Sequence, residues 1–185
     1  MYQRLIIIGA SGHGKVVADA AEKTGKYHQI LFLDDAELKE CAGYPVAGSV
    51  SDARLYYSDS EFIVAIGNPC IREMIQERLL ADEAHLATII HPSVIIGKGV
   101  VIGCGTVLLA GSIVNVDSKI GKGCILNTAA SIDHDCVVED YAHVSVGAHL
   151  AGTVKIGKRT WVGIGASVSN NLEICDDCMI GAGAV

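Results

Sequence analysis

A branched aliphatic residue recurs at every sixth position through the C-terminal half of the chain. The series begins at Ile90 and continues without a break to Ile180. Neither the helical period of 3.6 nor the simple strand period of two produces this pattern. A parallel β-helix does, because each hexapeptide forms one side of a coil and successive coils stack their aliphatic side chains. The series is Ile90, Ile96, Ile102, Leu108, Val114, Ile120, Leu126, Ile132, Val138, Val144, Leu150, Ile156, Val162, Val168, Ile174 and Ile180.

A second column supports the same fold, since a small or β-branched residue precedes each aliphatic residue by two positions. Examples are Val94, Thr106, Cys124 and Ala148. Half of the chain is hydrophobic but only 5% is aromatic, which suits a narrow prism filled with Ile, Val, Leu and Ala. Glycine often follows the aliphatic residue, and we expect a corner there that a β-carbon would crowd.

The first eighty or so residues predict a different unit. Apolar runs at Leu5–Ile8, Ile30–Leu33 and Phe62–Ile66 are typical of strands buried on both faces. Helical spacing follows the first run at Val16, Val17, Ala20 and Ala21, and Ile71–Leu80 predicts a second helix. We therefore expect a Rossmann-like α/β domain over residues 1–82 and an all-β parallel β-helix over residues 83–185. The repeats stop at Val185 without the cap that normally covers a last coil, so we expect missing residues or another shield there.

A glycine-rich loop joins the first strand to the first helix. It reads Gly9-Ala10-Ser11-Gly12-His13-Gly14, which differs from the G-x-G-x-x-G dinucleotide fingerprint. Such a turn still presents backbone N–H groups and a helix N-terminus to a phosphate. Asp34 and Asp35 end the second strand, about where a ribose-binding acid would lie. The loop therefore indicates a nucleotide-binding site in general, but it is poor evidence for NAD in particular. The alternative is that its glycines only permit tight packing of the strand against the helix.

Histidines interrupt the repeats at three places. A coil of ~18 residues places Gly152 directly above His134 and Trp161 above His143, with ~4.8 Å between coils. Imidazole titrates near neutral pH, so His134 is a candidate general base that Asp135 would orient; the alternative is a solvated surface histidine. His143 and His149 are six residues apart and lie on different faces, so we expect no metal. Another column of modest side chains is a candidate track for an extended ligand: Val146, Ile164 and Ala182.

Composition excludes several classes of protein. The net charge of −7 argues against nucleic-acid binding. Residues 99–116 carry no charge, but glycine and polar residues recur there in register with the repeat, so we expect no membrane span. No secretory signal is visible, and free cysteines favour a reducing cytoplasm. Cys175 and Cys178 form one C-x-x-C pair, which alone is weak evidence for zinc.

Several segments together resemble the NeuD/PglD-like bacterial sugar acyltransferases. They are the GASGHG loop, the LDD strand end, Ala65–Asn68, Ile125–Thr128 followed by His134-Asp135, and His143–Ala148. The resemblance implies an acetyl-CoA-dependent N-acetyltransferase that acts on a nucleotide-linked 4-amino-4,6-dideoxy sugar, often a UDP-sugar. It also implies a left-handed β-helix, an exception to the usual crossover rule, and a homotrimer with active sites between subunits.

The resemblance further implies a role for each matched residue. His134 would deprotonate the sugar amine as the amine attacks the thioester, and Asp135 would support that base. The nucleotide sugar would be held by Ser11, Gly12, His13, Asp34, Asp35 and Gly67. The acetyl-CoA site would be lined by His143, Gly152, Ile164 and Ala182. Three alternatives stay open at this point: O-acetylation of a sialic acid or other sugar hydroxyl, a binding or assembly module without turnover, and an NAD-dependent oxidoreductase.

Overall fold

The computed structural model describes residues 3–185. The three predicted N-terminal strands form a four-stranded parallel sheet together with a further strand, β6, which was not predicted: β1 is Arg4–Ile8, β2 is Gln29–Leu33, β5 is Ser60–Val64 and β6 is His85–Leu86. They lie in the order β2-β1-β5-β6. A short hairpin, β3 (Glu40–Cys41) and β4 (Tyr44–Pro45), and a 3-10 helix at Val50–Tyr56 connect β2 to β5. Because the strands are buried on both faces, their sequences are continuously apolar rather than alternating.

Two helices cover this sheet. Helix α1 spans Gly12–Lys23, as the helical spacing predicts, and buries Val17, Ala18, Ala20 and Ala21, whereas Val16 is exposed. Helix α2 spans Pro69–Ala81 and therefore begins two residues before the predicted helix.

Helix α2 has an N-terminus that its sequence specifies. The Asn68 side chain caps it by accepting the N–H groups of Cys70 and Ile71, and Pro69 occupies a first-turn position where no N–H is needed. The fully buried residues of α2 include two polar ones, Arg72 and Gln76, beside Leu79.

The C-terminal half is a left-handed β-helix with three parallel sheets. Each strand has two residues and pairs with the strand eighteen residues further along, for example Leu126 with Val144. Face 1 consists of β7 (Ile89–Ile90), β10 (Val107–Leu108), β13 (Ile125–Leu126), β16 (His143–Val144), β19 (Trp161–Val162) and β22 (Met179–Ile180).

Faces 2 and 3 have five strands each. Face 2 consists of β8 (Ile95–Ile96), β11 (Ile113–Val114), β14 (Ser131–Ile132), β17 (His149–Leu150) and β20 (Ser167–Val168). Face 3 consists of β9 (Val101–Ile102), β12 (Lys119–Ile120), β15 (Val137–Val138), β18 (Lys155–Ile156) and β21 (Glu173–Ile174). The second residue of each strand is the predicted aliphatic one, and from Leu108 to Val168 these residues are buried in a single core together with the small-residue column.

The corners of the prism have a repeat of their own. One residue per corner adopts a positive φ, and these residues recur every six positions: Gly99, Gly105, Gly111, Asp117, Gly123, Ala129, Asp135, Tyr141, Gly147, Thr153, Arg159, Gly165, Asn171, Asp177 and Gly183. They lie three residues after each aliphatic residue. The glycines directly after the aliphatic residue have a different function: a β-carbon at Gly97 or Gly157 would collide with backbone of the next coil. The corner residues with positive φ therefore lie two residues later than the glycines at which the sequence predicts the corner.

The two units share a core on face 1. Residues Ala87, Ile89, Val107, Leu109 and Ile125 cluster with the buried side chains of α1 and of the sheet. The α/β unit therefore covers the first three strands of face 1, and the strand after them begins with His143. The boundary after residue 82 stays a proposal, and β6 lies beyond it while still pairing with β5.

Candidate active site

The glycine loop lies between β1 and α1, at the carboxyl end of the sheet. Gly9 and Gly14 have structural reasons to be glycine: Gly9 has a φ of +106°, and a β-carbon at Gly14 would collide with the Gly9 carbonyl. Gly12 differs, because nothing lies within 4 Å of the position its β-carbon would take. Ser11 is exposed at the N-cap of α1, and its side chain makes no capping bond. The open side of the loop is thus a helix N-terminus with a free hydroxyl, which suits an anionic group.

The two acids that follow β2 fix the backbone at this end of the sheet, Asp34 in the glycine loop and Asp35 at the 3-10 helix. Asp34 Oδ2 accepts the Ala10 N–H at 2.6 Å, and its other oxygen accepts the Ala36 N–H at 2.8 Å. Asp35 Oδ1 accepts the Val50 N–H at 2.9 Å, at the start of the 3-10 helix. A cavity of about 350 Å³ opens beside Asp35, and its lining residues include Ile8, Val50, Arg54, Tyr57 and Arg78.

The loop after β5 meets face 1 of the β-helix. A β-carbon at Gly67 would lie 3.9 Å from Cη2 of Trp161. The Trp161 ring stacks at 4.5 Å between centroids on the ring of His143, its neighbour in the strand ladder. Trp161 Nε1 donates to Ser145 Oγ at 2.6 Å. We call this place, defined by His13, Gly67, Arg72, His143 and Trp161, the junction.

Two histidines at the junction each have a buried ring nitrogen without a protein partner. These atoms are Nε2 of His13 and Nδ1 of His143. The other nitrogen of His143 lies 3.1 Å from the side-chain amide of Asn127. Burial lowers the pKa of His13 to about 4, and the Arg72 guanidinium adds to that effect. Burial, again with help from Arg72, lowers the pKa of His143 to about 3. Both imidazoles are therefore neutral at physiological pH, and each ring has one donor and one acceptor.

His134 lies elsewhere, at the corner between faces 2 and 3. Its side chain is half exposed, and Nδ1 pairs with Asp135 Oδ2 at 2.8 Å. That hydrogen bond is the main reason that the pKa of His134 is raised above its ordinary value, and the charge of Asp133 contributes. Asp133 also accepts the backbone N–H of His134 at 2.8 Å and an N–H of Asn115 at 3.0 Å. Hydrogen bonds at this corner thus fix His134 through both its backbone N–H and its ring nitrogen Nδ1.

The predicted stacking of Gly152 on His134 is confirmed. A β-carbon at Gly152 would lie 2.5 Å from Nε2 of His134. The missing side chain therefore does not leave an empty pocket above the ring. The imidazole itself occupies that space.

The structure separates the predicted site residues into groups. Ser11, Gly12, His13, Asp34, Asp35 and Gly67 lie at the carboxyl end of the sheet, and His143 faces them from face 1. His134, Asp135 and Gly152 lie at the corner between faces 2 and 3, which in a three-sided prism is opposite face 1. Ile164 and Ala182 are exposed at the corner between faces 1 and 2, stacked with Val146 as predicted.

Some residues of the junction were not among the predicted site residues. Arg72, Asn127 and Ser145 all contribute polar contacts there. The sequence contains one signal for Arg72. It lies four residues before Gln76 and seven before Leu79, a spacing that places this charged residue on the buried side of α2. Asn127 lies in a segment that supported the resemblance, but the repeat alone assigned it no role.

Within residues 3–185, no group of three or more His, Cys, Asp or Glu side chains is placed to hold a metal ion. No helix in the described part of the chain is long and apolar enough to cross a membrane. All seven cysteines lie in this range as free thiols.

Comparisons with known proteins match both units. Residues 4–79 match the PglD N-terminal domain, and residues 153–185 match the bacterial transferase hexapeptide of six repeats. The structure superimposes on the acetyltransferase domain of PglB from Neisseria gonorrhoeae FA1090 in complex with acetyl coenzyme A. That comparison has a TM-score of 0.97 and 38% identity, and it covers 100% of this chain and 91% of that chain.

The chain belongs to the NeuD/PglD-like family of bacterial sugar acyltransferases. PerB from Caulobacter crescentus, in complex with CoA and GDP-perosamine, is 33% identical, with a TM-score of 0.88 over 97% of this chain and 86% of that chain. GDP-perosamine N-acetyltransferase from Escherichia coli O157:H7 is 26% identical over 172 residues, or 90% of this chain and 78% of that protein. The predicted family, fold class, enzyme class and acetyl-CoA co-substrate are confirmed.

Proposed function

We propose that this NeuD/PglD-like protein transfers the acetyl group of acetyl-CoA to the amine of a nucleotide-linked 4-amino-4,6-dideoxy sugar, with His134 as general base. The observation that carries the choice of base is the 2.8 Å hydrogen bond between His134 Nδ1 and Asp135 Oδ2. That bond assigns Nδ1 to the carboxylate and leaves Nε2 to act on a substrate, in a side chain that is half exposed. Relatives that bind CoA and GDP-perosamine support the substrate class.

The proposed chemistry is a direct transfer. His134 Nε2 takes the proton of the sugar amine as the amine nitrogen attacks the thioester carbonyl. The carbon–sulfur bond then breaks, the coenzyme leaves as its thiolate, and the proton held by His134 neutralises that thiolate. No acyl-enzyme is required, because a deprotonated amine is already a good nucleophile. Much of the rate enhancement would come from holding both substrates in attack geometry.

The α/β unit is the proposed nucleotide-sugar site. The Gly12 surface and the N-terminus of α1 would bind the phosphates, since backbone N–H groups and the helix dipole both favour negative charge there. The cavity beside Asp35 is of a size to take the nucleobase. His13 and His143 would contribute neutral hydrogen-bonding nitrogens at the reacting end. Ile164 and Ala182 would line the path of the coenzyme.

The separation of His134 from the junction supports the proposed homotrimer. In one chain, the base lies at the corner opposite the face that meets the glycine loop. A neighbouring copy therefore has to bring its own His134 to the loop, or no site contains both. Face 2 is suited to such a contact because its outward residues carry no carboxylate, lysine or arginine: Ile95, Ile113, Ser131, His149 and Ser167. The outward side of face 3 instead carries Lys119, Lys155 and Glu173.

The decisive test is a screen of nucleotide-linked amino sugars with acetyl-CoA. GDP-, UDP- and dTDP-linked 4-amino-4,6-dideoxy sugars would each be incubated with the protein, and release of the coenzyme thiol would be followed. Matched sugars with a hydroxyl in place of the amine serve as controls. Turnover with an amino sugar supports the proposal, turnover only with a hydroxyl or with sialic acid shows O-acetylation, and no thiol release with any acceptor contradicts transferase activity.

A further inference from the structure

Arg72 is a buried cation at the point where the α/β unit meets the β-helix. Its side chain is fully buried, and its partners are backbone carbonyls. Nη1 donates to Ile66 and Gly67 at 2.8 Å each, on the α/β side. Nε donates to Gly123 at 2.7 Å and Nη2 to Tyr141 at 2.5 Å, on two successive coils of the β-helix. Because a guanidinium holds its donors in one rigid plane, these bonds fix the relative direction of the two sides as well as their separation.

We propose that Arg72 is a positioning residue for the junction: it fixes the loop of Ile66 and Gly67 against face 1 and holds a positive charge beside His13 and His143. The connection to the substrate site passes through Gly67. The carbonyl of that residue is bound by Arg72, and its α-carbon faces the Trp161 ring that stacks on His143. A shift of the loop would therefore change the space between the two walls of the junction. This proposal rests on the proposed function, since it takes the junction to be where substrate binds.

The charge of Arg72 has a second consequence for the two histidines. Carbonyl dipoles solvate the guanidinium but do not neutralise it, so a protonated imidazole nearby would be repelled. The ionisable groups that act on Arg72 itself are Cys124, Tyr141 and Cys70, and those that act on His143 are Arg72 and His13. None of them is a carboxylate that would offset the positive charge of Arg72. Burial, with the added repulsion of the Arg72 charge, keeps both rings neutral, so that their unpartnered nitrogens stay available for uncharged hydrogen bonds to substrate.

A purely structural role is the competing explanation, and Arg159 provides a matched control for it. Arg159 also bridges the two units, because it pairs with Glu73 of α2 at 3.0 Å and with Asp177 of the next coil at 2.6 Å. Its partners are carboxylates at the partly exposed edge of the interface, and it contacts none of the carbonyls that Arg72 binds. Loss of Arg159 should weaken the interface without changing the junction.

The experiment compares Arg72→Lys and Arg72→Gln with Arg159→Lys and Arg159→Gln in the full chain. We expect Arg72→Lys, which keeps the charge but loses the planar two-sided contact, to lower kcat/KM by about 10- to 100-fold while His13 and His143 stay neutral at pH 6. We expect Arg72→Gln to raise the pKa values of both histidines. NMR titration of histidine labelled with ¹³C at Cε1 measures these pKa values. Both Arg159 variants should lower the melting temperature and leave kcat/KM and the histidine titrations at wild-type values.

Two results would overturn the proposal. The first is an Arg72→Lys protein with wild-type kcat/KM, and the second is a folded Arg72→Gln protein whose two histidines titrate as in the wild type. If Arg72→Gln does not fold, the kinetics of Arg72→Lys decide, and failure of both variants to fold assigns Arg72 a structural role alone. If no acceptor supports thiol release, the proposed function fails, but the histidine titrations still test the role of Arg72.

Discussion

The imidazole of His134 occupies the space that a side chain at Gly152 would take, so that a β-carbon at residue 152 would lie 2.5 Å from Nε2. The backbone of Gly152 does not have a positive φ. Alanine at this position therefore causes no backbone strain, but its β-carbon clashes with the imidazole of His134. We expect Gly152→Ala to displace the imidazole and to lower kcat while the fold is retained. A double-mutant cycle checks this, because Gly152→Ala should cost nothing further in a His134→Ala background. Additive effects would show that Gly152 acts independently of His134.

Removal of the base is the direct test of the mechanism. We expect His134→Ala to lower kcat by about 10²-fold or more and to leave the affinity for acetyl-CoA nearly unchanged, as measured by steady-state kinetics and calorimetric titration. His28→Ala is the control, because His28 is an exposed histidine of the α/β unit that lies outside the glycine loop and outside the faces of the β-helix. Wild-type turnover in His134→Ala would remove this residue from the mechanism.

The pH dependence of the reaction should report the Asp135 contact. A general base must be deprotonated, so kcat/KM should rise as the pH passes upward through the pKa of His134, which Asp135 raises. In Asp135→Asn that pKa should fall, and the acidic limb of the profile should move to lower pH. Asparagine tolerates the positive φ of +58° at this position. Asp177→Asn is the control, since Asp177 has a φ of +56° at an equivalent corner position. A profile that does not move would separate Asp135 from the titration.

The neutral histidines of the junction predict a loss of stability in acid. The pKa of His143 is about 3 in the folded state, below the ordinary value of 6.5, so the unfolded chain binds more protons as the pH falls below 6.5. The free energy of unfolding should therefore decrease on acidification, by on the order of 2 kcal/mol at pH 5 for this group. Urea unfolding at pH 7.5 and pH 5, at a fixed protein concentration, measures it. The loss should be smaller in His143→Gln, which lacks the titrating ring.

A site built between subunits predicts complementation. We expect His134→Ala and His13→Ala each to be strongly impaired alone, because each removes one half of every site. Each mixed trimer should contain one intact site of three, so an equimolar reassembled mixture should regain about a quarter of the wild-type activity, since a site needs one intact half from each of two head-to-tail neighbours. The mixture would be dissociated, reassembled and assayed for thiol release. If reassembled mixtures of verified composition show no recovery, both residues belong to one half of the site.

Much of the solenoid could be predicted from the sequence because a fixed spacing of eighteen residues determines which residues stack on each other. Eighteen residues separate His134 from Gly152 and His143 from Trp161, and both pairs stack as that spacing requires. The rule holds because each strand of the solenoid pairs with the strand one coil away, so no tertiary choice intervenes. The same arithmetic would have located the left-handed corner positions, but the nearby glycines that follow the aliphatic residues drew the prediction to the wrong residue.

The docking of the α/β unit on the solenoid could not be predicted in this way. It depends on which face α1 packs against, and the sixfold aliphatic period is the same on all three faces. Arg72 illustrates the difficulty, because its partners are backbone carbonyls of Ile66, Gly67, Gly123 and Tyr141. A carbonyl is present at every residue, so no sequence pattern marks these four. For the same reason, the distance of His134 from the glycine loop only became apparent in the folded chain.

The α/β unit covers face 1 as far as Ile125, and His143 is in the first strand beyond that cover. The position of His143 along the solenoid is therefore set by the number of coils that precede it. Insertion of one extra coil before His143 would preserve every kind of stacking contact in the prism and yet lift the histidine a full rung above the loop it faces. Coils added after Trp161 would leave that alignment unchanged, so relatives of different length can differ at the far end of the prism while keeping the same junction.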